Sequence, residues 1–522
     1  MIVIILFIFI ISDFIYTAEI NIGHKNESYY HYIQGLIYKQ AGDYIQAQRE
    51  FEKTIELDPN AISVYRELII SYINSGDIKK VSPVLETLRN LISDDDTNSI
   101  LFIGGIYNLL NDTKNAIDYY NKVLNKEPTN INAIASLGTL YLNLDTEKSI
   151  YYWKKYIELS PESEEGYYQI GFAYAKLGKI EEAKKILNES INKFPDNLAP
   201  LLALGQIYEN EKDYLNAALI YEKAINIEPK NILFLIKTGS LYFMAKKYSE
   251  SEKFLTVALK QYPENINVNF WLSLLYEEKK DWLRASKHLK ITLNKEPSLA
   301  GYIRLSYYYT QLEDNDSAIS ILQKATKLYP DSPEPYFFLG LGYYDLKKYR
   351  KAEKYFNKAV KIQPNFADAY FYLGIIYEQL SKFEKSVQYL RKVIELDPGN
   401  ANALNYLGYS FADRNINLDE AETMIKKALE IDPENSAYID SLGWVYFRKG
   451  MFIESEQELR KAANKTKDPV IFDHLGDVLF KLGKNLEALE YYNKSLELDK
   501  TNKKVKEKIE KLNKEKWYQE LK

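Results

Sequence analysis

Residues 367–400 read ADAYFYLGIIYEQLSKFEKSVQYLRKVIELDPGN, and the prediction of the fold starts from this stretch. It ends in Asp397-Pro398-Gly399-Asn400. Proline lacks an N–H and clashes with the preceding turn, so it ends one helix, and asparagine caps the start of the next. Gly374 and Tyr377, three residues apart, lie in the apolar first half. The stretch predicts one helix–turn–helix unit.

The same unit recurs along most of the chain. Prolines equivalent to Pro398 are spaced about 34 residues apart, with one double gap of 69 residues from Pro59 to Pro128. This period is typical of stacked helix–turn–helix repeats. These prolines are Pro59, Pro128, Pro161, Pro195, Pro229, Pro263, Pro297, Pro330, Pro364 and Pro433. In phase with them, a glycine or serine precedes an aromatic residue by three positions, and a second small residue follows. Glycine inside a helix costs about 0.8–1 kcal/mol relative to alanine, so we expect two closely crossing helices with the tyrosine filling the space beside them.

This pattern resembles the tetratricopeptide repeat (TPR) family. In residues 367–400 the family's positions are filled by Tyr370, Leu373, Gly374, Tyr377, Phe383, Tyr389 and Pro398. The resemblance extends from Ser28 to about Lys500. It implies an all-α fold, a right-handed TPR superhelix (α-solenoid) of about 14 units in which the first helix of every unit lines a concave, partner-binding face.

The ends of the chain differ from the repeats. Residues 1–18 contain an eleven-residue apolar run, which is short for a membrane span and typical of a signal-peptide core. We expect a cleaved signal peptide or a retained membrane anchor there, a short linker at 19–27, and TPR units over 28–500. Residues 501–522 are rich in lysine and place Val505, Ile509 and Leu512 on one helical face, so they predict a C-terminal capping helix.

Composition argues against several classes of function. The net charge of -5 over 522 residues gives no nucleic-acid or polyanion footprint. The chain has no cysteine and four histidines that are scattered along it, so we expect no metal site, no cofactor and no catalytic residues. An enzyme with a TPR arm is disfavoured because only about 22 residues follow the repeats.

The residues expected to bind a partner lie on first helices, between the packing positions. Aromatic side chains with a few charges among them are typical of binding hot spots. In the later units these residues are Phe337, Tyr344, Phe371, Tyr372, Tyr406, Tyr409, Asp440, Trp444, Phe447, Arg448, Asp473 and Asp477. The alternative is that some of these rings pack against the neighbouring unit.

The C-terminal third is similar to bacterial envelope TPR proteins, in residues 404–414, 437–446 and 468–477. Some members of that group recruit a carboxyl-terminal processing protease. The resemblance implies an exported, non-enzymatic scaffold in the periplasm or envelope that binds a peptide or protein, with such a protease as one possible partner. Anchoring in the inner membrane by residues 1–18 is the alternative location. A structural part in envelope assembly or polysaccharide secretion is the alternative function.

Overall fold

Twenty-nine α-helices and no strand make up the residues that the structure, a computed structural model, describes, which are 24–520. The helices follow one another as fourteen pairs, with one further helix after the last pair. The predicted all-α repeat fold of about fourteen units with a capping helix is confirmed, while the handedness of the superhelix stays a prediction. The expected signal peptide or anchor at 1–18 lies outside the described residues.

The chain divides into two compact units at Phe254 and Leu255. The helices of the first unit are α1 His24–Gln40, α2 Tyr44–Leu57, α3 Ile62–Ser75, α4 Ile78–Leu91, α5 Thr97–Leu109, α6 Thr113–Lys126, α7 Ile131–Leu144, α8 Thr146–Leu159, α9 Glu164–Lys176, α10 Ile180–Lys193, α11 Leu198–Asn210, α12 Tyr214–Ile227 and α13 Ile232–Met244. The boundary itself falls within α14, Tyr248–Gln261. Because α1 begins at His24, residues 24–27 of the expected linker are helical.

The helices of the second unit complete the chain. They are α15 Ile266–Glu278, α16 Trp282–Lys295, α17 Leu299–Gln311, α18 Asn315–Leu328, α19 Glu334–Asp345, α20 Tyr349–Ile362, α21 Ala367–Gln379, α22 Phe383–Leu396, α23 Ala401–Asp413, α24 Leu418–Ile431, α25 Ser436–Arg448, α26 Phe452–Lys465, α27 Pro469–Lys481, α28 Asn485–Leu498 and α29 Lys503–Glu520. Within each unit, an odd-numbered helix packs against the even-numbered helix that follows it.

The recurring glycine of the first helix receives a large side chain from the second helix. A Cβ atom added to Gly340 would lie 2.6 Å from the ring of Phe356, and one added to Gly476 would lie 2.5 Å from that of Tyr492. The tyrosine three residues after the glycine is predicted to fill the space beside this crossing. The side chain that faces the glycine itself comes from the second helix, sixteen residues later.

The second pair shows how the same contact is made without glycine. Ile69 takes the glycine position, and Leu85 takes the position of the large ring. Both side chains are buried in one core cluster together with Val81, which replaces the usual alanine. A larger residue on one helix is therefore balanced by a smaller one on the other, which keeps the interior close-packed.

The turn inside most pairs contains one residue with positive φ. Glycine fills it at Gly42 (φ 80°) and Gly450 (φ 79°), where the lack of Cβ makes this conformation inexpensive. Lys280 (φ 56°) and Lys347 (φ 57°) occupy the same place in other pairs. The fourth pair is one residue shorter here, and Asp145 joins α7 to α8 at φ -156°. The turn geometry is thus retained where the sequence has no glycine to indicate it.

The last helix, α29, covers the end of the second unit. Val505 and Leu512 are buried in the core cluster that contains Leu475 and Tyr492, and Ile509 packs beside them. These are the three apolar residues that the sequence placed on one face. Burial of this stripe closes the apolar surface that a terminal repeat would otherwise leave open.

Candidate partner-binding surface

The predicted binding residues all lie on five first helices of the second unit. Phe337 and Tyr344 are on α19, and Phe371 and Tyr372 are on α21. The remaining eight are Tyr406 and Tyr409 on α23, Asp440, Trp444, Phe447 and Arg448 on α25, and Asp473 and Asp477 on α27. The structure separates them into a row of aromatic rings on α19, α21 and α23, a buried group on α25, and two aspartates on α27 that are held by the capping helix.

The row of aromatic rings runs across α19, α21 and α23. The Phe337 ring lies 6.0 Å from that of Tyr372, and the Tyr344 ring lies 5.5 Å from it. Phe371 continues the row to Tyr406 with an edge-to-face contact at 6.1 Å. All five side chains are half-buried. They therefore contribute to packing between pairs and still present part of each ring to solvent.

Trp444 belongs to the buried group. Its indole is stacked between Phe447, at 4.7 Å between ring centroids, and His474, at 4.0 Å. Only 7% of the residue is exposed. Of the two alternatives for Trp444, exposure on the binding face or packing against the neighbouring unit, the second holds, because the next pair supplies a histidine that covers the indole.

Asp440 is buried beside Trp444, with 6% of the residue exposed. Both carboxylate oxygens lie close to Nδ1 of His474, at 3.0 and 3.1 Å. Burial by itself would lower the pKa of His474, but the charge and hydrogen bond of Asp440, with Asp473 and Asp477 beyond, raise the pKa above its usual value of 6.5. A buried ion pair between α25 and α27 follows, and Asp440 has little left to offer a partner.

Arg448 also has a structural role. Its Nε donates to the carbonyl of Ala412 at 3.0 Å, and a terminal nitrogen donates to the carbonyl of Asp413 at 2.7 Å. These carbonyls are at the C-terminal end of α23, where the backbone acceptors of a helix lack partners. Arg448 thus caps α23 from α25, which the sequence analysis did not foresee.

Asp473 and Asp477 are held by the capping helix. Lys508 of α29 donates to both carboxylates, at 2.7 and 2.8 Å. The hydroxyl of Tyr492 donates to Asp477 at 2.6 Å. Burial raises the pKa of Asp473 despite the nearby lysine. The two aspartates are therefore partnered within the chain and are not free acceptors on the first-helix face.

An open pocket remains between these groups. It has a volume of about 410 Å³ and is lined by Asn405, Tyr406 and Tyr409 of α23, Ser436, Ala437, Asp440 and Ser441 of α25, Thr466 and Asp468 of the following connection, and Val470 and Ile471 of α27. We call it the α23–α27 pocket. Two of the predicted rings and Asp440 lie in it.

Two features give the α23–α27 pocket its chemistry. The Oδ1 atom of Asn405 is buried and, among the described residues, has no hydrogen-bond partner. Burial raises the pKa of Tyr406 to about 12, and burial with the charges of Asp413, Asp440 and Asp473 raises that of Tyr409 further. Both hydroxyls therefore stay protonated at neutral pH. The pocket combines a vacant acceptor, two hydroxyls and two aromatic walls.

Sequence reasoning missed three contributors to this surface. Asn405, three residues before Gly408, is the polar counterpart of Phe371 and carries the vacant acceptor. His474 and Lys508 neutralise the aspartates from the neighbouring helices. The repeat positions of His474 and Lys508 are visible in the sequence. Their aspartate partners lie about 34 residues away, so these contacts become apparent only from the stacking of adjacent pairs.

Fourteen helix pairs, with this surface on first helices of the second unit, define the class: an all-α repeat protein with a candidate polypeptide-binding face. Five family models, each described as tetratricopeptide repeat, match this chain. They cover residues 11–138, 165–197, 199–231, 303–365, 339–401, 373–436 and 469–502, together more than half of it. The chain belongs to the tetratricopeptide repeat family, and its repeats make it a scaffold for protein or peptide partners.

The curated relatives match in part. A BBSome complex member BBS4 homolog of Drosophila melanogaster is 24% identical over 203 residues, 36% of this chain and 42% of the relative. BBSome complex member BBS4 of Bos taurus is 26% identical over 184 residues, 35% of each chain. This chain thus spans less than half the length of these relatives. The crystal structure of yeast Tom70 matches at 18% identity and a TM-score of 0.37, covering 82% of this chain and 97% of that chain.

Among the helices between residues 24 and 520, none has both the length and the apolar composition of a membrane span. The described side chains also contain no group of three His, Asp or Glu residues arranged to hold a metal ion.

Proposed function

We propose that this protein is a non-enzymatic scaffold that holds an extended polypeptide segment in the α23–α27 pocket. The observation that carries the proposal is the vacant Oδ1 of Asn405 in an open pocket with two tyrosine walls. A buried acceptor without a donor costs about 1–3 kcal/mol. In the proposed complex the Asn405 amide turns toward the pocket and accepts the backbone N–H of the bound segment, which removes that cost. The rings of Tyr406 and Tyr409 supply the contact area typical of hot spots.

The row of rings on α19 and α21 extends this surface. Phe337, Tyr344, Phe371 and Tyr372 follow one another on adjacent first helices, and each leaves part of its ring exposed. A segment anchored at Asn405 has this row beside it for its apolar side chains. The rings then act as secondary contacts, and Trp444 acts only by supporting the pocket from within.

The proposal extends to location and partner. The apolar run in residues 1–18 supports export, with the scaffold in the periplasm or at the envelope. The stretches that resemble bacterial envelope TPR proteins, 404–414, 437–446 and 468–477, contain most residues that line the α23–α27 pocket. A carboxyl-terminal processing protease is therefore the partner we propose for it.

Photocrosslinking from inside the pocket tests the proposal. Val470 lines the pocket and is 50% exposed, so a photoreactive phenylalanine analogue at this position meets any occupant without disturbing the core. We expect the full chain with this analogue to crosslink an envelope protein in intact cells. Asn405→Leu, which removes the acceptor, should abolish that crosslink in a chain that stays folded.

The matched control places the same analogue at Leu486, which is 71% exposed on the second helix α28. Crosslinks from Leu486 that equal those from Val470, or a Val470 crosslink that persists in Asn405→Leu, would contradict the proposal. Crosslinks to subunits of an assembly or secretion machine from Leu486 alone would favour the structural function instead. Fractionation of the same cells checks the envelope location.

A further inference from the structure

The second helix α20 carries a concentration of positive charge that the net charge of the chain conceals. Residues 347–361 contain seven Lys and Arg residues and a single Glu, whereas the whole chain has a net charge of -5. Five of the cations lie on the helix itself and form what we call the α20 stripe: Arg350, Lys351, Lys354, Lys358 and Lys361. All five are exposed.

The α20 stripe is continuous and faces away from the core. At 100° per residue its five side chains fall within an arc of about 100°, and they extend over roughly 17 Å of helix. The buried residues of α20, Ala352, Phe356 and Ala359, lie on the opposite side. The stripe is therefore an outward surface distinct from the first-helix face.

None of the five cations has an acidic partner within the described part of the chain. Ion pairs occur at Arg304 with Glu277 and at Arg391 with Glu420, but none involves a residue from 305 to 377. Lys351 and Lys358 instead place their ammonium groups over the rings of Tyr343 and Tyr336, at 5.3 and 5.6 Å. These contacts hold two of the cations in place and leave their charge uncompensated.

The excess of positive charge is confined to α20. On α18, the five equivalent positions are Asp316, Ser317, Ser320, Lys324 and Lys327, with a net charge of +1. On α22 they are Glu384, Lys385, Gln388, Lys392 and Glu395, with a net charge of 0. A broad anionic surface such as a membrane or a nucleic-acid duplex that spans adjacent pairs would also meet the carboxylates of Asp316, Glu384 and Glu395. A narrow acidic chain avoids them.

We propose that the α20 stripe binds an acidic polypeptide segment, a second interaction site independent of the α23–α27 pocket. Four or five carboxylates along an extended or helical segment match the length of the stripe. The pairs are solvent-exposed, so binding depends on several weak contacts together and weakens as salt shortens the screening length.

Fluorescence anisotropy with a labelled peptide of ten glutamates tests the proposal on the full chain. We expect the peptide to bind the natural chain at low salt. The triple variant Arg350→Glu, Lys354→Glu, Lys358→Glu should weaken this binding by at least roughly tenfold, because it removes three modest ion pairs and adds repulsion. The matched control is Lys185→Glu, Lys223→Glu, Lys427→Glu. It changes the net charge equally at three exposed lysines without ion pairs on three different helices.

Equal loss in the two triple variants would show that the peptide senses only net charge and would overturn the proposal, as would no binding by the natural chain at low salt. Vesicles with phosphatidylglycerol that bind through the stripe, when the glutamate peptide does not, would overturn it in favour of a membrane. Because Asn405→Leu leaves the stripe intact, peptide binding in that variant separates failure here from failure of the proposed pocket.

Discussion

The pairs α19–α22 and α25–α28 have the same repeat and differ in what fills one position. Three residues before the packing glycine, the first helices of α19–α22 carry Phe337 and Phe371, and those of α25–α28 carry Asp440 and Asp473. The rings of the former are half-buried and join a row that solvent still reaches. The carboxylates of the latter are enclosed and neutralised by His474 and Lys508.

The two regions also differ in how adjacent pairs are joined. No ion pair involves a residue from 305 to 377 in the described chain, and α19–α22 are held by packing and stacked rings. In α25–α28, Lys484 pairs with Glu456 at 2.8 Å, and Arg460 pairs with Glu487. The comparison shows that one backbone repeat supports an aromatic surface in one place and a closed, charge-paired core in another.

We expect the largest loss of stability from removing the Trp444 ring, which stacks on His474 in α25–α28. Trp444→Ala leaves a cavity beside a buried ion pair and should destabilise α25–α28 by about 3–5 kcal/mol. Phe371→Ala, in the aromatic region, should cost only about 1–2 kcal/mol because its ring is already partly exposed. Hydrogen exchange measured helix by helix gives both local free energies.

Trp444→Phe provides the control, since it keeps a stacking ring and removes an indole N–H that has no hydrogen-bond partner among the described residues. It should lose much less stability than Trp444→Ala. A loss below about 1 kcal/mol for Trp444→Ala would mean that the ring is not part of the core, contrary to its burial.

We expect a smaller loss of stability when alanine replaces a glycine that packs against an aromatic ring. In Gly340→Ala the new methyl group would meet the rigid Phe356 ring at 2.6 Å, and overpacking of this kind costs about 1–3 kcal/mol. In Gly443→Ala the neighbour is Leu459, at 2.7 Å, whose side chain can change rotamer. Gly443→Ala should therefore cost less stability than Gly340→Ala, as measured by thermal unfolding.

The second change Phe356→Leu tests the cause of this difference. Combined with Gly340→Ala, it should recover part of the stability, because leucine is the residue that already faces Gly374 and Gly443. Additive losses in the double variant would contradict a direct contact between the two positions.

The smallest expected effect is a dependence on pH confined to α25–α28. The folded-state pKa of His474 lies above 6.5, so the stabilisation from its protonated pair with Asp440 is complete below pH 6.5. It is lost as the pH rises through the folded-state pKa. Hydrogen exchange, corrected for its intrinsic pH dependence, should show α25 and α27 opening more readily at the higher pH.

The helices α19–α22 serve as an internal control in the same experiment, because they contain no histidine. Asp440→Asn should strongly reduce the effect, since burial then lowers the pKa of His474 with only Asp473 and Asp477 left to oppose it. An unchanged pH dependence in Asp440→Asn would assign it to another group.

Most of the fold could be predicted because its determinants are local and repeat. Pro398 and Asn400 end one helix and begin the next within three residues, and the apolar stripe of Val505 and Leu512 defines the capping helix without reference to distant residues. The source of the ring that faces each glycine could not be read in the same way. Phe356 faces Gly340 because two helices cross at that point, and the crossing depends on both helices together.

The binding surface was less predictable. Tyr409 and Trp444 occupy the same repeat position, directly after Gly408 and Gly443. Tyr409 lines an open pocket, whereas Trp444 is covered by the stacked ring of His474. The difference comes from the next pair of helices, so no pattern within one repeat distinguishes the two. The α20 stripe, by contrast, is visible in the sequence as a local run of lysines. It was not predicted, because the net charge of the whole chain conceals a local excess of positive charge.

The repeat, its length of about 34 residues, the number of helix pairs and the family can all be predicted from the sequence alone. Those follow from backbone rules that act within a few residues, namely where a helix stops, where it is capped and which positions must be small. Only the tertiary structure decided which side chains remain available to a partner. Side-chain exposure depends on neighbours about 34 residues away. In α25–α28 those neighbours are His474, which covers Asp440, and Lys508, which pairs with Asp473.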